Sequence, residues 1–226
     1  MRAQAAAPVS ASLPRVAATQ LIALTRQAGF PEARWIDRAR LPASLAEHPQ
    51  LSALGEGGFL MTALSCHRRE PADLSAPGDP HALLAPFARR DYYRDAVARL
   101  KDVVRAVCQS AGVDRRRARI FCNSRLPEKP LAAAAGLGFM GKNTLMIVSG
   151  LGSLFVIAGV FLPVRAEGER PTPQAAGAPA VGTSCGACRA CLEACPVGAL
   201  SEAGGLDATR CLQALAGRAE AFSTAT

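Results

Sequence analysis

Long hydrophobic runs are missing from this chain of 226 residues. No window holds the ~18 unbroken apolar residues of a membrane-spanning helix. The longest apolar stretches, Leu145 to Val148 and Leu154 to Leu162, are interrupted or bounded by glycine and serine. No cationic segment followed by a long apolar block opens the chain, so a secretory leader is not expected. A soluble, cytoplasmic protein with no membrane partner is the expectation. Aromatic residues make up 5% of the chain, and lysine is scarce beside arginine. Alanine supplies much of the 50% hydrophobic fraction, which says less about the core than usual. No tandem repeat is present, which excludes a solenoid. Positive charge is in excess, at a formal +8. That permits a polyanionic partner without requiring one, because an arginine-rich composition gives the same figure. The densest run, Arg115, Arg116, Arg117 and Arg119, follows a Gly-Val-Asp turn and reads as a solvated face.

One main domain fits the length. Apolar residues at helical spacing predict a helix near residues 12 to 28, ending at Gly29. Trp35 and Ile36 open an irregular stretch, and Phe59 to Ser65 suits a buried strand. Residues near 70 to 80 read as loop. Tyr92, Ala96, Leu100, Val103, Val104 and Val107 recur at three and four residues and predict an amphipathic helix from Asp91 to Cys108. A short strand over Ala118 to Cys122 and a helix over Pro127 to Ala135 follow. Leu145 to Val148 and Leu154 to Leu162 then read as two strands joined as a hairpin across Ser-Gly-Leu-Gly. The interleaving predicts a mixed α/β (α+β) domain over residues 1–164. Residues 165–183 read as a linker, 184–213 as a small cysteine-dense module and 214–226 as a tail.

The module carries Cys185-Gly-Ala-Cys188-Arg-Ala-Cys191-Leu-Glu-Ala-Cys195-Pro196. This is C-x2-C-x2-C-x3-C-P, the bacterial ferredoxin spacing, in which closely spaced thiolates wrap an iron–sulfur cube. Zinc would want two C-x2-C pairs separated by a long loop, and disulfides an oxidising compartment. The expected metal ligands are therefore Cys185, Cys188, Cys191 and Cys195 of a 4Fe-4S cluster. Cys211 is a further ligand candidate or a lone buried cysteine. Cys66, Cys108 and Cys122 read as small core residues. The spacing Gly136-x-Gly138-x-x-Gly141 also spells a dinucleotide fingerprint, but no strand leads directly into it and no long helix follows.

Arg90-Asp91-Tyr92, the stretch Asn123 to Ala133 running into Gly136 to Asn143, Gly152-Ser153 and the cysteine run stand in an order that resembles the epoxyqueuosine reductase family over roughly residues 55 to 213. The resemblance implies a corrinoid-binding-type domain followed by a ferredoxin-like 4Fe-4S module. It also implies cobalamin as a second cofactor, and reduction of the epoxide of epoxyqueuosine in tRNA to queuosine. The partners so implied are tRNA and an electron donor protein or reductant. Tyr92, Lys142, Asn143 and Ser153 become the candidate cofactor-binding residues, with the glycines letting the backbone approach a bulky ligand and Lys142 meeting a phosphate or amide edge.

The chain departs from the family pattern where an acid is expected. That place falls on Cys122 or Asn123, and an amide cannot protonate an epoxide oxygen. A second C-x2-C-x3-C-P segment and a helical repeat region are also absent from this sequence, which suggests a shortened relative. The catalytic acid is open, with His67 and Glu128 as remote alternatives that read first as solvated surface groups. A non-catalytic 4Fe-4S electron carrier or partner subunit, or an inactive relative, is the alternative function.

Overall fold

The computed structural model describes residues 13–68, 84–168 and 183–217, together with Gly78 and His81. In chain order the elements are β1 (Arg15–Ala17), α1 (Ala18–Gln27), β2 (Glu32–Asp37), α2 (Ala43–Ala46), α3 (Pro49–Ser52) and β3 (Gly58–Ser65). They continue with α4 (Tyr92–Ala111), β4 (Arg119–Phe121), α5 (Glu128–Ala134), β5 (Phe139–Met140), β6 (Met146–Ile147), β7 (Phe155–Leu162) and β8 (Arg165–Glu167). Two short helices close the described chain: α6 (Ala190–Glu193) and α7 (Leu212–Ala216).

The centre is a four-stranded antiparallel sheet in the order β2-β3-β7-β4. β3 and β7 pair along their whole length, from Gly58 opposite Leu162 to Ser65 opposite Phe155. Seven of the eight residues of β3 are buried, because both faces of the sheet are covered. On one face Leu60, Leu64, Ala158, Val160 and Leu162 meet Leu21 of α1 and Leu100, Val103 and Val107 of α4. On the other, Phe59, Met61, Ala63 and Phe161 meet Leu131 and Ala132 of α5, with Leu45 and Leu51 beside them. Each fully buried large aliphatic side chain here contributes roughly 1.5–3 kcal/mol. The buried Thr62 is satisfied, its hydroxyl donating to the Ala158 carbonyl at 2.9 Å. Gly159 is required where it stands, since a Cβ would lie 2.5 Å from the Phe121 ring.

The amphipathic helix forms as its spacing predicts. Asp91 caps it by accepting the Arg94 N–H at 2.9 Å, and Gly112 ends it at φ +64°. The mixed α/β reading stands, while several element assignments change. Residues 15–17 are a strand rather than the start of the first helix, and they pair in parallel with residues 165–167. The expected linker therefore begins with a strand, and residues 169–182 of it lie outside the described residues. The stretch at Trp35 and Ile36 is a regular strand paired with β3. The hairpin of residues 145–162 is not formed: β6 pairs with β5, across the glycine loop, and only a single bridge joins Val148 to Gly152. β7 instead lies between β3 and β4, where two covered faces reward its apolar run. Of the loop read at residues 70 to 80, Gly78 alone is described. No described helix is long and apolar enough to cross a membrane.

Candidate functional site

The antiparallel register brings the C-terminal ends of β3 and β4, the N-terminal end of β7 and the start of α4 to one end of the sheet. Cys66 closes β3 there, its N–H donating to the Leu154 carbonyl at 3.0 Å. The Tyr92 hydroxyl donates to the Cys66 carbonyl at 3.4 Å, and the ring sits between the guanidinium groups of Arg68 and Arg90, 5.8 and 5.5 Å from its centroid. Tyr92 is 3% exposed, so it is a core residue at the helix start rather than an open ligand contact. Arg90 is held in turn by Asp95 at 3.1 Å. Leu84, Phe87 and Tyr93 are exposed near this helix start.

β4 delivers Cys122 and Asn123 to the same end. The Cys122 thiol donates to the Ile157 carbonyl at 3.3 Å. Burial, followed by the nearby Glu128 and Asp91 carboxylates, pushes its pKa up to about 12. The thiol is therefore neutral at physiological pH and a poor nucleophile. Asn123 takes a left-handed backbone, φ +51°, which its residue type tolerates. Its N–H and that of Ser124 donate to the two carboxyl oxygens of Glu128, at 3.0 and 2.7 Å. Glu128, at the first turn of α5, thus braces the loop that carries the expected acid position. His67 is exposed, its backbone N–H donating to Ser65 Oγ. Burial also raises Cys66 and Cys108, each 1% exposed, which agrees with their reading as core residues.

The glycine loop folds on itself. Gly136 ends α5 at φ +77°, and β5 and β6 form a small ladder across the loop. A Cβ on Gly138 would lie 2.2 Å from the Ile147 carbonyl oxygen, and one on Gly141 2.6 Å from the Ile147 side chain. Gly138 and Gly141 make room for the chain's own β6. The Asn143 side chain accepts the Leu145 N–H at 3.0 Å and sets the turn. Ser153 is exposed in the following turn.

Lys142 reaches the cysteine module. Its Nζ, almost fully buried, donates to the carbonyls of Gly186 and Cys188 at 3.0 and 3.1 Å and pairs with Glu202 at 2.8 Å. Glu202 also pairs with Arg189, between two of the cysteines. The lysine therefore joins the glycine loop to the cysteine loop; its ammonium meets amide carbonyls and a carboxylate, so a phosphate finds no free charge there. Sequence reasoning had no means to find these partners, which lie 44 and 46 residues away.

Cys185, Cys191, Cys195 and Cys211 are half-buried and Cys188 is exposed. Gly186, at φ +52°, turns the chain between the first two, and α6 carries Cys191. Among the described residues no three Cys, His, Asp or Glu side chains converge as a metal site. The donor chemistry nonetheless suits a thiolate ligand at Cys195. Its sulfur accepts the Ala199 N–H at 3.2 Å, and that bond, with the amides of Val197, Leu200 and Gly198, lowers its pKa. Cys211 begins α7 as its cap residue.

No protein-family model matches the chain. Curated sequences do. It is 32% identical over 149 residues to an epoxyqueuosine reductase of Burkholderia pseudomallei, covering 65% of this chain and 36% of that protein. It is 32% identical over 153 residues to that of Synechocystis, covering 66% and 49%. For the Escherichia coli protein the figures are 31% over 130 residues, 56% and 31%. The match thus spans about a third to a half of the length of these relatives. Solved structures share the fold. One, an epoxyqueuosine reductase crystallised with an epoxyqueuosine-modified tyrosine tRNA stem loop, superposes with a TM-score of 0.63 at 21% identity, over 87% of this chain and 56% of that one. The Bacillus subtilis enzyme with its catalytic loop swung out of the active site gives 0.60 at 22% identity, over 87% and 56%. The resemblance read from the motifs is borne out.

Proposed function

We propose that this chain is an epoxyqueuosine-reductase-like iron–sulfur oxidoreductase of the cytoplasm, which reduces the epoxide of epoxyqueuosine in tRNA to queuosine. The observation that carries this reading is the Lys142 joint, which seats a ferredoxin-type cysteine loop on the glycine loop of a fold shared with epoxyqueuosine reductases. Cys185, Cys188 and Cys191 would hold a 4Fe-4S cluster, with Cys195 or Cys211 closing the ligand set. Such a cluster would supply single electrons drawn from an external reductant, within a range of about −700 to +450 mV. Among the residues assigned to cobalamin, Tyr92 and Lys142 are engaged by the protein itself and Asn143 is spent on its turn. The proposed contact therefore falls on Ser153.

The chain's own groups narrow the source of the proton. An Asn123 amide has no acidic proton, and a thiol at about 12 lies far from operating pH, so Cys122 is a weak general acid. Both oxygens of Glu128 are occupied as acceptors of the Asn123 and Ser124 N–H groups, so the exposed His67 and solvent remain as donors to the epoxide oxygen. Anaerobic reconstitution with iron, sulfide and cobalamin, followed by metal quantification and an assay on epoxyqueuosine tRNA, tests the reading. Cluster absorption with stoichiometric cobalt and turnover is expected. The amide at Asn123 favours one second reading, an electron carrier, which cluster without cobalt or turnover would support. Absence of both metals overturns both.

A further inference from the structure

The arginine run has no part in the site just described, and the fold gives it partners that the sequence does not show. Arg115, Arg116 and Arg117 occupy one 3-10 turn between α4 and β4, fixed at its start by the Asp114 carboxylate, which accepts the Arg116 N–H at 2.9 Å. Lys101 and Arg105, one turn apart on α4, line with Arg115 and Arg116 a groove of about 580 Å³ that Val104, Asp114, Ala118 and Ile120 complete. A second hollow of about 470 Å³ continues it past Arg105 and Arg115 towards Val113. Among the described residues no carboxylate lies within ion-pair distance of Lys101, Arg115, Arg116, Arg117 or Arg119, while Arg105 pairs with the exposed Asp102 at 2.8 Å. A self-neutralised face would pair all of these cations; here Lys101 on one wall and Arg115 and Arg116 on the other carry no ion pair among the described residues, and Asp114 is the one carboxylate in the lining.

We infer that this groove binds the phosphate backbone of RNA at a place remote from the site. α4 carries its first residue, Tyr92, to the site end and its middle turns to the groove. At 1.5 Å per residue Lys101 and Arg105 lie about 14 and 20 Å along the axis from Tyr92. Guanidinium forks on two walls suit successive phosphates, and contacts of this kind set register without reading sequence. None of the exposed large hydrophobic residues, Leu84, Phe87, Tyr93, Leu145, Leu206 and Leu212, borders the groove, so it lacks the apolar anchors that hold a helix in a lipid surface. The choice of RNA rests on the tRNA substrate proposed above.

Binding of an unmodified tRNA transcript, which carries no epoxide, provides the test, read by fluorescence anisotropy at several salt concentrations. Arg115→Ala with Arg116→Ala is compared with Arg26→Glu on α1, which changes net charge by the same two units far from the groove. The double variant is expected to bind at least 10-fold more weakly, with the slope of log affinity against log salt smaller by about 2, while Arg26→Glu stays within 2-fold. Equal weakening in both overturns the proposal, because net charge alone then explains it. Groove-dependent binding to phosphatidylserine vesicles with unchanged tRNA affinity also overturns it. Groove-dependent tRNA binding without epoxide reduction supports the groove and counts against the proposed reaction; reduction with unaltered binding in the double variant does the reverse.

Discussion

Cys122 shows how much one residue's surroundings decide. Its thiol pKa is raised to about 12 by burial and by two carboxylates, so the folded protein holds a proton that the unfolded chain releases near 9. The stabilisation is complete below pH 9 and is lost as pH climbs towards 12, since only the unfolded chain then gains by ionising. Thermal midpoints between pH 8 and 10.5 should fall in the unsubstituted protein and fall less steeply in Cys122→Ala; parallel slopes would show that Cys122 does not contribute. Cys66 and Cys108, raised in the same direction, leave a residual slope. Glycines offer a second residue-scale contrast. Gly138→Ala drives a Cβ into the Ile147 carbonyl oxygen, a backbone atom that cannot step aside, and should cost about 3 kcal/mol. Gly150→Ala meets nothing within 4 Å and pays only for its left-handed backbone, roughly 1 kcal/mol. Urea midpoints of the two variants check the order. The sequence marks the glycine loop as special but does not show the packing of Gly138 and Gly141 against Ile147, because G-x-G-x-x-G spelling fits a ligand cradle and a self-packed hairpin alike.

Among the elements, α4 was the most legible, because 3.6-residue periodicity, an Asp cap and a closing glycine all agree. Asp91→Ala should lower stability by about 0.5–2 kcal/mol in chemical denaturation, through the lost cap alone. β2 was hidden because Ala33, Trp35 and Ile36 are all buried, which breaks the alternation a half-exposed strand would show. β1 and β8 were hidden for another reason: each has three residues, and their pairing spans the whole domain. The joint at Lys142 belongs to this scale as well. Lys142→Met removes the donor to the Gly186 and Cys188 carbonyls, at about 0.5–1.5 kcal/mol for each bond, since both residues are exposed and water can replace it. Hydrogen exchange should rise across residues 186–191 and stay unchanged in β3 and β7. Uniform protection in both places would mean that the cysteine loop is seated by other contacts.

For the molecule as a whole, the core and the cysteine module draw on separate sources of stability. The sheet is packed on both faces by two clusters of buried side chains, whereas the described residues 183–217 contribute one fully buried hydrophobic residue, Ala199. A module so poor in apolar burial would depend on the proposed cluster and on its docking. After reconstitution, iron chelation should therefore abolish protection around α6 while far-UV circular dichroism of the sheet persists. A single concerted loss of both signals would contradict that division. The cysteine spacing is a local pattern, so the proposed cluster ligands were legible in the sequence. The shared fold was less accessible, since it depends on β7 entering between β3 and β4, a pairing no local pattern encodes.

The parallel ladder of β1 with β8 has a mechanical consequence. It ties Arg15–Ala17 to Arg165–Glu167, the first and last strands of the domain, side by side and pointing the same way. Tension applied through the two flanking segments loads that ladder in shear, so its bonds must yield together instead of peeling one after another. Optical-trap stretching should give a distinct rupture step ahead of sheet unfolding, lost in Val16→Pro, and its persistence in that variant would place the clamp elsewhere.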